Sequence, residues 1–221
     1  MTSPFQRARR PEQLELRRSA ILAAARDALA GKSAADVTLG GISERAGLAK
    51  SNLLRYFDSR EAILLEVLLD ELRSWLDELT PLLAQPLPRA ADHASEISVA
   101  DALTESLTQR RLLCDLLGMM AGVLERNITV DTARTFKRRT TESLAILGTL
   151  IEGRLPWIGT AAATFVAEAA LGLVAGTYPF SNPTEPVRQA ITELGLPEPR
   201  RRFTEGLRSG LILWLIGAGT P

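Results

Sequence analysis

The chain has 221 residues, 46% hydrophobic and 24% charged, which is enough apolar material for one or two packed domains. Its single cysteine, Cys114, excludes an internal disulfide framework, and together with the one histidine, His93, it falls short of the ligands an ordinary zinc centre needs. The formal net charge is zero but unevenly placed: residues 1–60 carry eleven Lys/Arg against six Asp/Glu, a net +5 that the remainder must balance with −5. Such a chain is expected to meet a polyanion only at its N-terminal end.

The opening MTSPFQRARR is charged and lacks an apolar run, so it does not read as a secretory signal, and the cytoplasm is the expected location. No stretch alternates polar and apolar residues, while Ala and Leu abound, so the chain is expected to be all-α. In chain order, helices are expected near 12–30, 38–45, 49–56 and 59–79, followed by a break at Pro81, Pro86 and Pro88. Further helices are expected near 96–107, 109–125, 130–154, 160–177 and 199–217, with a short one near 185–194 behind the turn-rich stretch Thr177 to Pro186. Residues 159–177 and 207–219 are apolar, but the first is interrupted by Glu168 and the second is short and contains Arg208. Spanning a bilayer takes roughly 20 apolar residues, so buried helix packing is expected and no membrane partner.

The informative stretch is Thr38 to Arg60, TLGGISERAGLAKSNLLRYFDSR. Two short helices crossing steeply need apolar residues facing each other and a residue tolerant of positive φ between them. Ile42 and Ala46 supply one inner face, Gly47 the turn, and Leu48, Leu53 and Phe57 the other. Thr38 is positioned to cap the first helix, and Asp58 or Ser59 the helix that follows. The second helix is then left with Lys50, Ser51, Asn52, Arg55 and Tyr56 facing outward, all hydrogen-bonding and none acidic. Lysine donates to guanine edges, asparagine pairs with adenine, and Ser, Arg and Tyr hold phosphates.

Thr38, Ile42, Ala46-Gly47-Leu48, Leu53, Tyr56-Phe57 and Ser59-Arg60-Glu61-Ala62 resemble the DNA-binding domain of the TetR family of repressors. The resemblance implies a three-helix helix-turn-helix domain over 1–62, its first helix (Leu14 to Leu29) packed behind the motif. It also implies a larger helical-bundle domain over 63–221 that binds a small effector and dimerises through its last two long helices. By position, Thr38 would cap its helix and touch phosphate, Lys50, Ser51 and Asn52 would face base edges, and Tyr56 and Arg60 would clamp the backbone. Leu54 stands where the family usually has tyrosine, and Arg55 or Tyr56 is the candidate to compensate. The basic run Arg7, Arg9, Arg10 is expected either to reach into an adjacent minor groove or to be a solvated tail.

The expected function is therefore a DNA-binding transcriptional regulator, a repressor released from a palindromic double-stranded operator by a small-molecule effector. Dimerisation is expected through residues 160–177 and 199–217, where Ala161, Ala163, Ala167, Ala170, Gly172, Gly176, Gly206 and Gly210 allow close approach and Leu207, Leu211, Trp214 and Leu215 supply apolar surface. Leu113, Cys114, Leu117, Met120, Leu147 and Ile151 are candidate effector-lining residues, although ordinary core is the commoner role for such side chains. No catalytic residue, cofactor or metal is expected: His93 sits in a Pro- and Ala-rich stretch, and no nucleophile elbow, phosphate-binding loop or HExxH zinc motif occurs. The alternative reading is a helical adaptor whose basic end meets an acidic protein or a membrane surface, without sequence-specific DNA binding. Steep salt dependence on duplexes separates the two.

Overall fold

The computed structural model describes residues 5–219, with side chains from residue 12 onward. Among the described residues there are helices and no strands. The chain divides into two compact units: the first runs to Leu69 and adds Met119–Phe136, and the second comprises Asp70–Gly118 and the chain from Lys137 onward.

In the first unit, α1 (Phe5–Leu29) packs chiefly on α2 (Leu39–Arg45). The small side chains Ala24, Ala25 and Ala28 line its buried face beside Ile21 and Leu29, which lets the helices approach closely. Leu14 and Leu16 are exposed, so the apolar packing of α1 behind the motif begins at Ile21 rather than at Leu14. Because α1 starts at Phe5, the backbone of Arg7, Arg9 and Arg10 is helical rather than an arm preceding the helix; their side chains lie outside the described residues.

After a 3-10 turn at Ala34–Asp36 and α2 comes α3 (Lys50–Leu53), shorter than the expected 49–56. Beyond Leu53 the chain tightens, with Arg55 N–H bonded to Asn52 O and Tyr56 N–H to Leu53 O, each three residues back. The unit continues into the start of α4 (Arg60–Leu82). Pro81 falls inside the last turn of α4 rather than breaking it. The helix ends one residue later, because Pro81 lacks the N–H that would close its last turn and its ring disfavours continuation.

The second unit takes the rest of α4 and then α5 (Ala94–Thr108) and α6 (Arg111–Met119). The expected helix over 109–125 therefore stops early, and a turn and the 3-10 segment Leu124–Arg126 follow. Gly118, at the end of α6, admits the ring of Pro179: a Cβ there would lie 2.9 Å from the proline Cγ. That 3-10 segment and the start of α7 (Val130–Arg154), through Phe136, belong to the first unit; the rest of α7, α8 (Thr160–Thr177), a 3-10 turn at Tyr178–Ser181, α9 (Glu185–Glu193) and α10 (Pro199–Ala218) complete the second. Helix α10 packs against α5 and α8, and Gly210 permits it, since a Cβ there would meet Leu173 Cδ2 at 2.8 Å. Trp75, wholly buried, donates its indole N–H to Ser106 Oγ at 3.0 Å, so its polar atom is satisfied within the core.

By length and composition alone the stretch Thr160–Ser181 is apolar enough to cross a membrane, a property that buried core helices share. Its Ala163, Val166, Ala167, Ala170, Leu171 and Val174 face is nonetheless buried within the unit. Helix α9 differs from its neighbours: no residue on it is buried, and Val187 is half exposed.

Candidate nucleic-acid interface

Two backbone devices fix the geometry of α2 and α3. Thr38, extended at φ −106°, accepts a 3.1 Å hydrogen bond at Oγ1 from Gly41 N–H and so opens α2. At the other end Gly47 takes φ +63°, Leu48 N–H bonds to Ser43 O at 2.9 Å, and Gly47 N–H bonds to Glu44 O at 3.1 Å. That paired closure satisfies the last carbonyls of α2 and turns the chain sharply, which a residue without Cβ does at least strain. Ile42, Leu53 and Phe57 are then at most 4% exposed, whereas Ala46 and Leu48 are half-buried.

With those side chains pinned, Thr38, Lys50, Ser51, Asn52 and Arg55 are exposed and Tyr56 is half-buried. The Lys50 stem lies over Gly40, where a Cβ would stand 2.9 Å from its Cε, placing the ammonium beside the start of α2. Leu54 is 46% exposed, an apolar side chain on a polar rim. Arg60 is more committed than its position in the sequence suggested. Its Nη1 donates to Val37 O at 3.0 Å and its Nε to Glu61 Oε1 at 3.0 Å, tying the start of α4 to the residue before Thr38.

The alternatives left open for the cap of α4 resolve toward serine: Ser59 Oγ accepts from Ala62 N–H at 3.1 Å. Asp58 instead accepts from Thr129 Oγ1 at 2.5 Å and from Thr132 Oγ1 at 3.0 Å. Partial burial would raise the pKa of Asp58, but the two threonine hydroxyls, with help from backbone N–H groups, outweigh it and hold the carboxyl below its usual range. Glu61 Oε2 accepts from Asn127 Nδ2 at 3.1 Å, so residues 127–132 are fastened to the motif at two carboxylates.

Arg18 on α1 is a third support. It donates from Nη1 to the Tyr56 carbonyl at 2.8 Å, lies 4.3 Å over the Phe57 ring and pairs with Glu66 at 3.6 Å. None of these pairings was foreseen from the sequence, where nothing in the spacing joins residue 18 to 56 or 58 to 129.

The candidate effector residues are divided between the two units. Leu113, Cys114, Leu117, Leu147 and Ile151 are at most 4% exposed, and Met120 is half-buried in the first unit. Cavities of about 250, 380 and 730 Å³ are lined by other side chains. Burial pushes the Cys114 thiol up to about 12, and its S–H points at Leu107 O, 3.3 Å away. It is an inert core thiol.

The expected dimer surface also needs correction. Leu207, Leu211 and Leu215 are at most 1% exposed within a single chain, and Ala163, Ala167 and Ala170 are fully buried, so all six serve the protomer's own core. The outward faces of the same helices carry Ala161, Phe165, Gly172 and Gly176 on α8 and Gly206, Ser209 and Leu213 on α10. Phe165 meets the half-buried Trp214 edge to face, with ring centroids 6.4 Å apart.

Comparison with known proteins gives two family matches. Residues 21–67 match the model described as bacterial regulatory proteins, tetR family, and residues 69–221 match the tetracyclin repressor-like C-terminal domain. The chain belongs to the TetR family. It is a DNA-binding transcriptional regulator, of a family whose members are generally transcription factors rather than enzymes. No curated protein matches it in sequence. Solved structures share its fold. A TetR regulator from Rhodococcus sp. RHA1 is 16% identical with TM-score 0.56, over 93% of this chain and 98% of that one. A TetR/AcrR regulator from Thermobifida fusca YX-ER1 is 19% identical with TM-score 0.52, over 89% and 96%. The repressor AlkX from Dietzia sp. strain DQ12-45-1b, implicated in biodegradation of n-alkanes, is 18% identical with TM-score 0.50, over 92% and 97%.

Proposed function

We propose that this regulator is a cytoplasmic repressor that binds a palindromic operator as a homodimer, leaves it when a small-molecule effector binds, and catalyses no reaction. On this reading residues 1–62 form the DNA-binding domain and residues 63–221 the effector-binding and dimerisation domain. The observation that carries it is the exposed run Lys50, Ser51, Asn52 at the start of α3, held rigid by the Thr38 cap and the Gly47 turn. Lys50 and Asn52 read base edges, with Ser51 beside them, while Thr38, Arg55, Tyr56 and Arg60 hold the phosphate backbone. Arg7, Arg9 and Arg10 add charge toward a neighbouring groove.

One such motif reaches one half-site, so a second copy is needed for the other. The outward stripe on α8 and α10, with Phe165 58% and Leu213 70% exposed among small residues and a charge, Glu168, supports dimerisation through those helices. Leu113, Cys114, Leu117, Leu147 and Ile151 are closely buried in the state described here. If these residues receive the effector, it selects a conformation in which they part, and it weakens operator binding only by its preference for that conformation over the reading one. Selection of bound sites from random duplexes tests the proposal: a palindrome with half-sites one helical turn or a multiple apart is expected, and failure to enrich any sequence at moderate salt overturns it.

A further inference from the structure

Leu54 follows α3 directly and is 46% exposed, whereas the other exposed side chains around it, Lys50, Ser51, Asn52 and Arg55, can all form hydrogen bonds. It keeps helical backbone angles (φ −64°, ψ −8°), and its N–H bonds to Lys50 O at 3.0 Å, so it stands one turn beyond Lys50 on the same face. Its neighbours are pinned on both sides. Leu53 is fully buried, and Arg18 holds the Tyr56 carbonyl at 2.8 Å and covers the Phe57 ring. Leucine has no donor, so it cannot hold a phosphate.

In the major groove the base pairs present donors, acceptors and one apolar group, the C5 methyl of thymine. That methyl projects from the pyrimidine edge toward its own strand's backbone, between the base edges and the phosphates. Lys50 and Asn52 on base edges and Arg55 and Tyr56 on phosphates leave Leu54 at that intermediate place. Building on the operator reading above, we infer that Leu54 selects a thymine in each half-site by packing on its C5 methyl. An apolar protein partner would strip water from Lys50, Ser51 and Arg55 without replacing it, whereas a duplex offers those groups phosphates and offers the leucine a methyl.

The test uses the operator selected by the wild-type chain, with each thymine replaced in turn by deoxyuridine, which removes the methyl and keeps every hydrogen-bonding group. Burying one methyl corresponds to about fourfold in affinity, so one symmetric pair of positions, changed in both half-sites, should weaken binding about fifteenfold. Leu54→Ala should bind the thymine and deoxyuridine operators within about twofold of each other at that pair, while Asn52→Ala, although weaker, should keep the difference. Leu54→Ala alters an exposed side chain, so its unfolding midpoint should match wild type and the comparison reads contact rather than folding. A half-site without thymine, no deoxyuridine-sensitive position, or a difference that Leu54→Ala retains overturns the inference and leaves operator binding standing. Failure to select any operator overturns both.

Discussion

Replacing Arg18 by methionine removes three interactions at once while keeping a similar aliphatic stem. The hydrogen bond to the Tyr56 carbonyl, 2.8 Å long and charge-assisted, contributes about 1.5 kcal/mol once some water replacement at the half-buried carbonyl is allowed for. The stacking over Phe57 at 4.3 Å adds about 0.5–1 kcal/mol. The Glu66 pair, at 3.6 Å with side chains 34% and 22% exposed, adds at most about 0.5 kcal/mol. Arg18→Met should therefore cost about 2–3 kcal/mol, and lower the midpoint of thermal unfolding by on the order of 5–10 °C for a chain of this size. Arg18→Lys, which keeps the charge but loses the planar group, should cost about half as much. Urea denaturation of the three proteins measures this, and a double-mutant cycle with Phe57→Leu should show coupling of about 0.5 kcal/mol or more. A loss below about 0.5 kcal/mol for Arg18→Met, or zero coupling to Phe57, would refute the claim that α1 braces the end of the reading helix through this side chain.

Asn52→Ala should relax preference at one base pair of each half-site, costing about 1–3 kcal/mol against the preferred base and little on other duplexes, as read by competition gel shift. Gly47→Ala forces a Cβ into the left-handed region (φ +63°) and should destabilise by about 1 kcal/mol, seen as a lower unfolding midpoint. Leu213→Glu should leave the fold intact, since the side chain is 70% exposed, but shift the mass seen by sedimentation toward monomer. Asp58 has a folded pKa below its unfolded value near 3.8, so its contribution is present above that pH and is lost as pH falls through the lower folded value. Thr129→Val/Thr132→Val should flatten the acid limb of the stability curve, and an unchanged limb would contradict the assigned hydrogen bonds.

The helix-turn-helix was legible because its signals are local. A glycine between two short apolar patterns, a threonine before the first and a polar run on the second follow from the chain alone, and the structure places Thr38, Gly47, Ile42 and Leu53 accordingly. Helix ends were read less well where a single residue was given too much weight. Pro81 was expected to break α4, and the helix runs one residue past it before ending. The supports of the motif were invisible because they join residues far apart: Arg18 to Tyr56, Asp58 to Thr129 and Glu61 to Asn127 depend on tertiary placement that no spacing encodes. Leu207, Leu211 and Leu215 misled for a related reason: periodicity tells that a face is buried but not whether the burying surface belongs to the same chain.

Asp58 and Glu61 draw their hydrogen-bond donors from Asn127, Thr129 and Thr132, more than sixty positions downstream. A chimera that grafts this reading head onto another bundle by joining the chains near residue 69 leaves both carboxylates without those donors. Transplants that also carry 119–136 keep the contacts, so exchange of specificity between such regulators requires three crossover points rather than one.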